Sequence, residues 1–146
     1  MKGNLLIVDD ETVLLTNLQL ILEDYADHIF LAKNGAEAEA ILKKEDIHCV
    51  VCDINMPVMN GVELIKRANE MKFDCPFIFY SGHGNDELML EVAKYGAFDF
   101  LDKPLLDGLE EVVKAGLQLG LNPKSPAKEK LLFISDYTRL LEKLSK

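Results

Sequence analysis

The chain has 146 residues, 25 acidic against 16 basic, and a formal net charge of -9 at pH 7. This is one domain's worth of sequence, and 49% hydrophobic with 28% charged residues excludes a disordered polymer. The acidic balance argues against a nucleic-acid partner, because gripping phosphate chains depends on Lys and Arg displacing counterions. Five short apolar runs then alternate with five longer stretches of helical period. Asn4 to Val8 reads as the first strand, and Leu14, Leu18, Ile21, Leu22 and Tyr25 mark one face of the helix after it, with Glu11 and Thr12 in its first turn. His28 to Ala32 is the second strand. Asn34-Gly35 opens a helix to about Lys44, with Ala36, Ala40 and Ile41 expected inward and Glu37, Glu39, Lys43 and Lys44 outward.

His48 to Cys52 is the third strand, followed by a loop holding Pro57 and Asn60-Gly61. The next helix carries Leu64, Ile65, Ala68 and Met71 on one face. Phe77 to Tyr80 is the fourth strand, Asp86 to Tyr95 a helix that Gly96 stops, and Phe98 to Leu101 the fifth strand. A last helix runs from Leu106 with Leu109, Val113 and Leu117 in register. The apolar runs Leu5 to Val8 and Phe77 to Tyr80 are far short of a membrane span, and Met1 to Asn4 leave no room for a signal peptide before the first strand, so a cytoplasmic protein without membrane association is expected. Cys49, Cys52 and Cys75 are odd in number, which fits a reducing compartment. Cys49 and Cys52 have C-x-x-C spacing, but residues three apart on a strand point to opposite faces and cannot share a metal or a disulfide.

Alternating strands and helices predict an α/β fold, a doubly wound parallel sheet with right-handed crossovers and helices on both faces. Strands one, three and four are nearly continuous in apolar residues, as interior strands should be, whereas the second and fifth carry polar interruptions that suit edges. The expected strand order is therefore 2-1-3-4-5. Ligands in such a sheet bind beyond the carboxyl ends of the strands, near the reversal of strand order. Asp9, Asp10, Asp53, Ser81 and Lys103 all fall at those ends. Three carboxylates gathered in one crevice repel one another and call for a cation, and an incomplete all-oxygen cage suits Mg²⁺. Taken singly, each residue has a structural reading as a helix cap, a turn former or a solvated charge. Taken together, those readings would make every polar strand end accidental.

Four motifs occur in order on the expected elements: Leu5 to Glu11 around Asp9-Asp10, Cys52-Asp53-Ile54-Asn55-Met56-Pro57 with Gly61, Tyr80-Ser81-Gly82-His83, and Phe100-Leu101-Asp102-Lys103-Pro104. Over about residues 3 to 120 the chain resembles the response-regulator receiver domains of two-component signalling, which have the flavodoxin-like fold. The intervals agree as well: 43 residues from Asp10 to Asp53, 28 to Ser81 and 22 to Lys103. The resemblance implies that Asp53 is the phospho-acceptor, served by a sensor histidine kinase, a histidine phosphotransfer protein or a small phosphodonor. It implies Mg²⁺ (or Mn²⁺) held by Asp10, Asp53 and the backbone carbonyl of Asn55, with Asp9 acting through a water. Ser81 and Lys103 would bind phosphoryl oxygens. Phe100 matches the switch aromatic, with a core aromatic as its other reading, and Pro104 permits a cis Lys-Pro bond. Asn55 and His83 stand where family members tune loss of the phosphoryl group, although His83 also reads as a plain surface side chain. Phosphorylation would bias two packings of the region from Asn85 to Leu119 and so change a partner-binding surface.

Domain boundaries follow: a receiver body over 1–120, a linker over 121–126 and an amphipathic helix over 127–146, with Phe133, Tyr137, Leu140, Leu141 and Leu144 at helical spacing. From Leu121 onward there are six basic and three acidic residues. This stretch is too short for a DNA-binding winged helix, so a receiver without an output domain is expected. The terminal helix would dock on the body, pair with a second copy, or lead into a further domain. A homodimer could also use the face from the fourth to the fifth helix. The rival class is an enzyme working through an aspartyl phosphate, such as a haloacid dehalogenase-like phosphatase. Those enzymes want Asp-x-Asp after the first strand, where this chain has Asp9-Asp10. The chain is therefore read as a non-enzyme, apart from promoting its own phosphorylation and dephosphorylation.

Overall fold

A computed structural model describes residues 1–82, 86–102 and 108–122. Its elements are β1 (Asn4–Val8), α1 (Thr12–Leu22), β2 (His28–Ala32), α2 (Gly35–Lys44), β3 (Cys49–Asp53), α3 (Gly61–Glu70), β4 (Phe77–Ser81), α4 (Asp86–Lys94), β5 (Asp99–Asp102) and α5 (Leu109–Gly120). A 3-10 turn, Glu23–Tyr25, closes α1. The five strands form one parallel sheet in the order β2-β1-β3-β4-β5, as expected from the polar interruptions in β2 and β5. This is the flavodoxin-like receiver arrangement.

Period-two alternation divides the core into two layers. Leu5, Ile7, Cys49, Val51, Ile78 and Tyr80 pack with α1 and α5, while Leu6, Val8, Val50, Cys52, Phe77 and Phe79 pack with α2, α3 and α4. Cys49 and Cys52 accordingly lie in opposite layers, and both are fully buried free thiols. Burial pushes each thiol well above the ordinary range, away from the thiolate that redox or zinc chemistry needs.

Two helix faces differ from expectation. On α1 the buried set is Leu15, Leu18 and Leu22, with Ile21 49% exposed. On α2 the buried set is Gly35, Ala38, Glu39 and Leu42, whereas Ala36 and Ala40 are exposed. Alanine is too small to declare a face, and Glu39 is buried because it has a partner: Arg67 of α3 reaches its Oε1 through Nε at 2.9 Å and Nη2 at 2.8 Å. The Arg67 hydrogen bond and charge hold the Glu39 carboxyl below its ordinary value. Strand bounds move by one residue: β3 and β5 each begin and end one residue later than expected, and β4 extends to Ser81. His48 instead closes the amino end of the sheet, its Nδ1 accepting the Asn4 N–H at 2.9 Å. The expected start of the last helix at Leu106 and the expected terminal helix over 127–146 lie outside the described residues.

Candidate functional site: an acidic rim at the carboxyl ends of the strands

Asp9 follows β1, and Asp53 is the last residue of the neighbouring β3. Because β1 and β3 pair in parallel with Val8 opposite Cys52, the two carboxylates end up side by side. Asp10 joins them from the β1–α1 turn. One carboxylate oxygen from each of Asp9, Asp10 and Asp53 lies within 4.8 Å of the others. Asp9 is 0% and Asp53 5% exposed, while Asp10 faces solvent. The rim thus has two sheltered acids and one open to the outside.

Asp9 is held on both oxygens. Oδ1 accepts the Glu11 N–H at 2.8 Å, and Oδ2 accepts the Tyr80 hydroxyl at 2.6 Å. That second distance is in the range of a charge-assisted O–H···O⁻ bond. Burial, with the Asp9 carboxylate beside it, pushes the Tyr80 phenol far above its ordinary range, so its proton stays on oxygen. The sequence reading did not single out Tyr80. The available signal was a tyrosine inside an otherwise apolar interior strand, since a buried phenol must find a hydrogen-bond partner.

The loop after β3 is fastened close to Asp53. The Asn55 N–H donates to Asp53 Oδ1 at 3.4 Å, and the Gly61 N–H donates to the Ile54 carbonyl at 2.9 Å. Asn60 caps α3, its Oδ1 accepting the Glu63 N–H at 3.0 Å. Gly61 is required by space: a Cβ there would stand 2.8 Å from the Phe79 ring, 3.0 Å from Ile54 Cα and 3.1 Å from the Asp53 carbonyl oxygen. Asn55 itself is exposed.

Ser81 ends β4, is 2% exposed, and donates to the Gly82 carbonyl at 3.1 Å. Phe100 pairs with Phe79 in the β4–β5 ladder and is fully buried among the residues packed with α4. By alternation Ser81 and Phe100 lie on the same face of neighbouring strands. His83, Lys103 and Pro104 lie outside the described residues. Among the described residues, then, the structure brings together Asp9, Asp10 and Asp53, sets Asn55 beside them, and puts Ser81 at the end of the strand next to β3.

An all-oxygen donor set of this compactness fits a hard divalent cation, and three protein carboxylates leave coordination positions for water, as Mg²⁺ prefers. The fit is in the chemistry of the donors: hard, anionic and gathered within one ion's reach.

A family model for the response regulator receiver domain matches residues 5–115, and the chain belongs to that family. It is 32% identical over 106 residues to the transcriptional regulatory protein FixJ of Bradyrhizobium diazoefficiens, covering 73% of this chain and 52% of FixJ. It is 35% identical over 117 residues to the uncharacterized transcriptional regulatory protein YesN of Bacillus subtilis, covering 75% of this chain and 32% of that one. Among solved structures, a CheY-like response regulator receiver domain protein from Methanospirillum hungatei aligns with a TM-score of 0.75 at 27% identity, over 84% of this chain and 98% of that one. The chain spans about half the length of FixJ and a third of YesN. Receiver domains of this kind take phosphoryl groups from histidine kinases, typically bind Mg²⁺ at an acidic pocket, and are signalling modules rather than enzymes. Among the described residues no helix is long and apolar enough to cross a membrane.

Proposed function

We propose that this chain is a phosphorylation-controlled receiver in which Asp53 takes one phosphoryl group from the phosphohistidine of a sensor kinase or phosphotransfer protein. The observation that carries this reading is the convergence of the Asp9, Asp10 and Asp53 oxygens within 4.8 Å. In the reaction an Asp53 carboxylate oxygen forms a bond to phosphorus as the P–N bond breaks. The imidazole nitrogen keeps the electron pair and takes a proton, and an aspartyl phosphate remains. Asp10, Asp53 and the Asn55 carbonyl would hold Mg²⁺ or Mn²⁺. Asp9 would act through a water, which suits a carboxylate whose two oxygens already accept the Glu11 N–H and the Tyr80 hydroxyl. The bound ion supplies charge neutralisation between an anionic donor and an anionic nucleophile.

Ser81 and Lys103 are the proposed ligands of the phosphoryl oxygens. When the Ser81 hydroxyl leaves the Gly82 carbonyl for the phosphoryl group, Phe100 is the ring proposed to sense the change, with Pro104 shaping the turn that carries Lys103. Asn55 and His83 are the proposed tuners of dephosphorylation, and that self-dephosphorylation, with self-phosphorylation, is the only catalysis assigned to the chain. Output is a changed binding surface over α4, β5 and α5 for a downstream protein or a second copy, in a cytoplasmic setting. The greater length of FixJ and YesN favours a second reading, in which this is the receiver portion of a longer regulator.

Incubation with Mg²⁺ and a small phosphodonor such as acetyl phosphate tests the proposal by intact-protein mass spectrometry. The wild type is expected to gain one acid-labile phosphoryl group and Asp53→Asn none. Equal labelling of both proteins, or of neither, contradicts it.

A further inference from the structure

We propose that Tyr80 is a positioning residue for the cation site, reaching from β4 across β3 to fix the carboxylate of Asp9, the residue that follows β1. The inference rests on the acidic rim being the Mg²⁺ site described above. Strands stand about 4.8 Å apart, so the side chains of β4 and β1 must bridge two sheet spacings. Tyr80 and Asp9 do so, meeting at 2.6 Å. The Val8 carbonyl, at 3.4 Å from the same hydroxyl, is at the outer limit of hydrogen bonding, so the short bond to Asp9 is the one that sets the geometry.

The backbone of Tyr80 serves the same rim. Its carbonyl accepts the Ile54 N–H at 3.2 Å, and Tyr80 lies opposite Asp53 in the β3–β4 register. One residue therefore holds Asp9 by its side chain and the turn after Asp53 by its main chain. With Glu11 N–H on Oδ1 and Tyr80 on Oδ2, the Asp9 carboxylate plane is set before any cation arrives. A carboxylate that needs no reorientation to face the ion or its water shell binds it more tightly, as partners behind metal-binding groups generally do. The next residue, Ser81, is the proposed phosphoryl ligand, so the anchor of Asp9 and the switch hydroxyl are on consecutive residues of one strand.

The test is a double-mutant cycle on Mn²⁺ affinity, read from the free-ion electron paramagnetic resonance signal. Tyr80→Phe keeps the ring and removes the hydroxyl. It is expected to weaken Mn²⁺ binding about tenfold in the wild-type background and to cause no further loss in Asp9→Ala, where the group it acts through is gone. An unchanged affinity in Tyr80→Phe, or an equal loss in both backgrounds, overturns the positioning role and leaves the acidic site standing. Should wild type and Asp53→Asn bind Mn²⁺ alike, the reading of the rim fails, and this inference with it. A second measurement needs no Tyr80 variant: in protein labelled with 3-fluorotyrosine, the Tyr80 ¹⁹F resonance should shift on adding Mg²⁺ to wild type and stay fixed in Asp9→Ala. A resonance that does not move in either protein overturns the proposal.

Discussion

The two ends of the sheet treat their carboxylates in opposite ways. At the amino end, Asp27 Oδ2 accepts the backbone N–H groups of Lys2 and Gly3, each at 2.9 Å. The Asn4 side chain donates to the Asp46 carbonyl at 2.8 Å, and His48 takes the Asn4 N–H. Acid, amide and imidazole there serve to close the fold. At the carboxyl end Asp9, Asp10 and Asp53 are brought against one another, and like charges at such distances cost free energy. Part of that cost is offset inside the fold, by the Glu11 N–H and the Tyr80 hydroxyl on Asp9 and by the Asn55 N–H on Asp53. The contrast teaches that acidity alone does not mark a site: Asp27 is a staple, whereas the trio at the other end is the proposed cation site.

Variants that break this contrast should act in a definite order of size. After the complete loss of labelling expected for Asp53→Asn, the largest structural effect belongs to Gly61→Ala. The added methyl would meet the Phe79 ring and the backbone of Ile54 and Asp53, and overpacking of this kind costs about 1–3 kcal/mol. Urea denaturation should show that loss, accompanied by weaker cation binding, because the same backbone carries Asp53. An unchanged midpoint would mean that the β3–α3 loop yields more readily than its packing implies.

Asp10→Asn should change sign with the solution. In chelator-treated buffer, removing one of three neighbouring charges is expected to raise the melting temperature. In excess Mg²⁺ the wild type gains binding free energy that the variant lacks, and the order reverses. Differential scanning calorimetry under both conditions checks it, and a variant less stable in chelator would contradict the crowding argument.

The smallest effect lies at the amino end. The Gly3 N–H, and after it the Lys2 N–H, hold the Asp27 carboxyl below its ordinary value of 3.8. A carboxylate whose value is depressed on folding adds stability that is present above pH 3.8 and lost as the pH falls through the folded value. Asp27→Asn should therefore melt slightly earlier than wild type at pH 7, with the two curves converging below pH 3.8. A gap that persists in acid would assign the difference to packing rather than to charge.

The carboxyl-end half of this contrast is legible in the sequence, whereas the amino-end staple is not. Continuous apolar runs located β1, β3 and β4, and the polar interruptions at Asp27-His28 and Asp99 placed β2 and β5 at the edges, which together settled the strand order. Asp9, Asp10 and Asp53 were readable because strand ends in a doubly wound sheet define the site. Helix faces were less legible, for a physical reason: α2 is rich in alanine, which fits either face, and the closest partner of the buried Glu39 is Arg67, which stands on another helix. Tyr80 went unrecognised because its ring satisfies the apolar pattern of β4 while its hydroxyl answers to Asp9, 71 residues away. One-dimensional patterns register burial and miss a partner at that separation.

Paramagnetic broadening by Mn²⁺ in amide NMR spectra tests the difference between the two ends most directly. Substoichiometric Mn²⁺ should erase the amide signals of Asp9, Asp10, Asp53 and Asn55, leave Lys2, Gly3 and Asp27 sharp, and be reversed by excess Mg²⁺. Broadening centred on Asp27, or spread evenly over the acidic surface, would contradict the account.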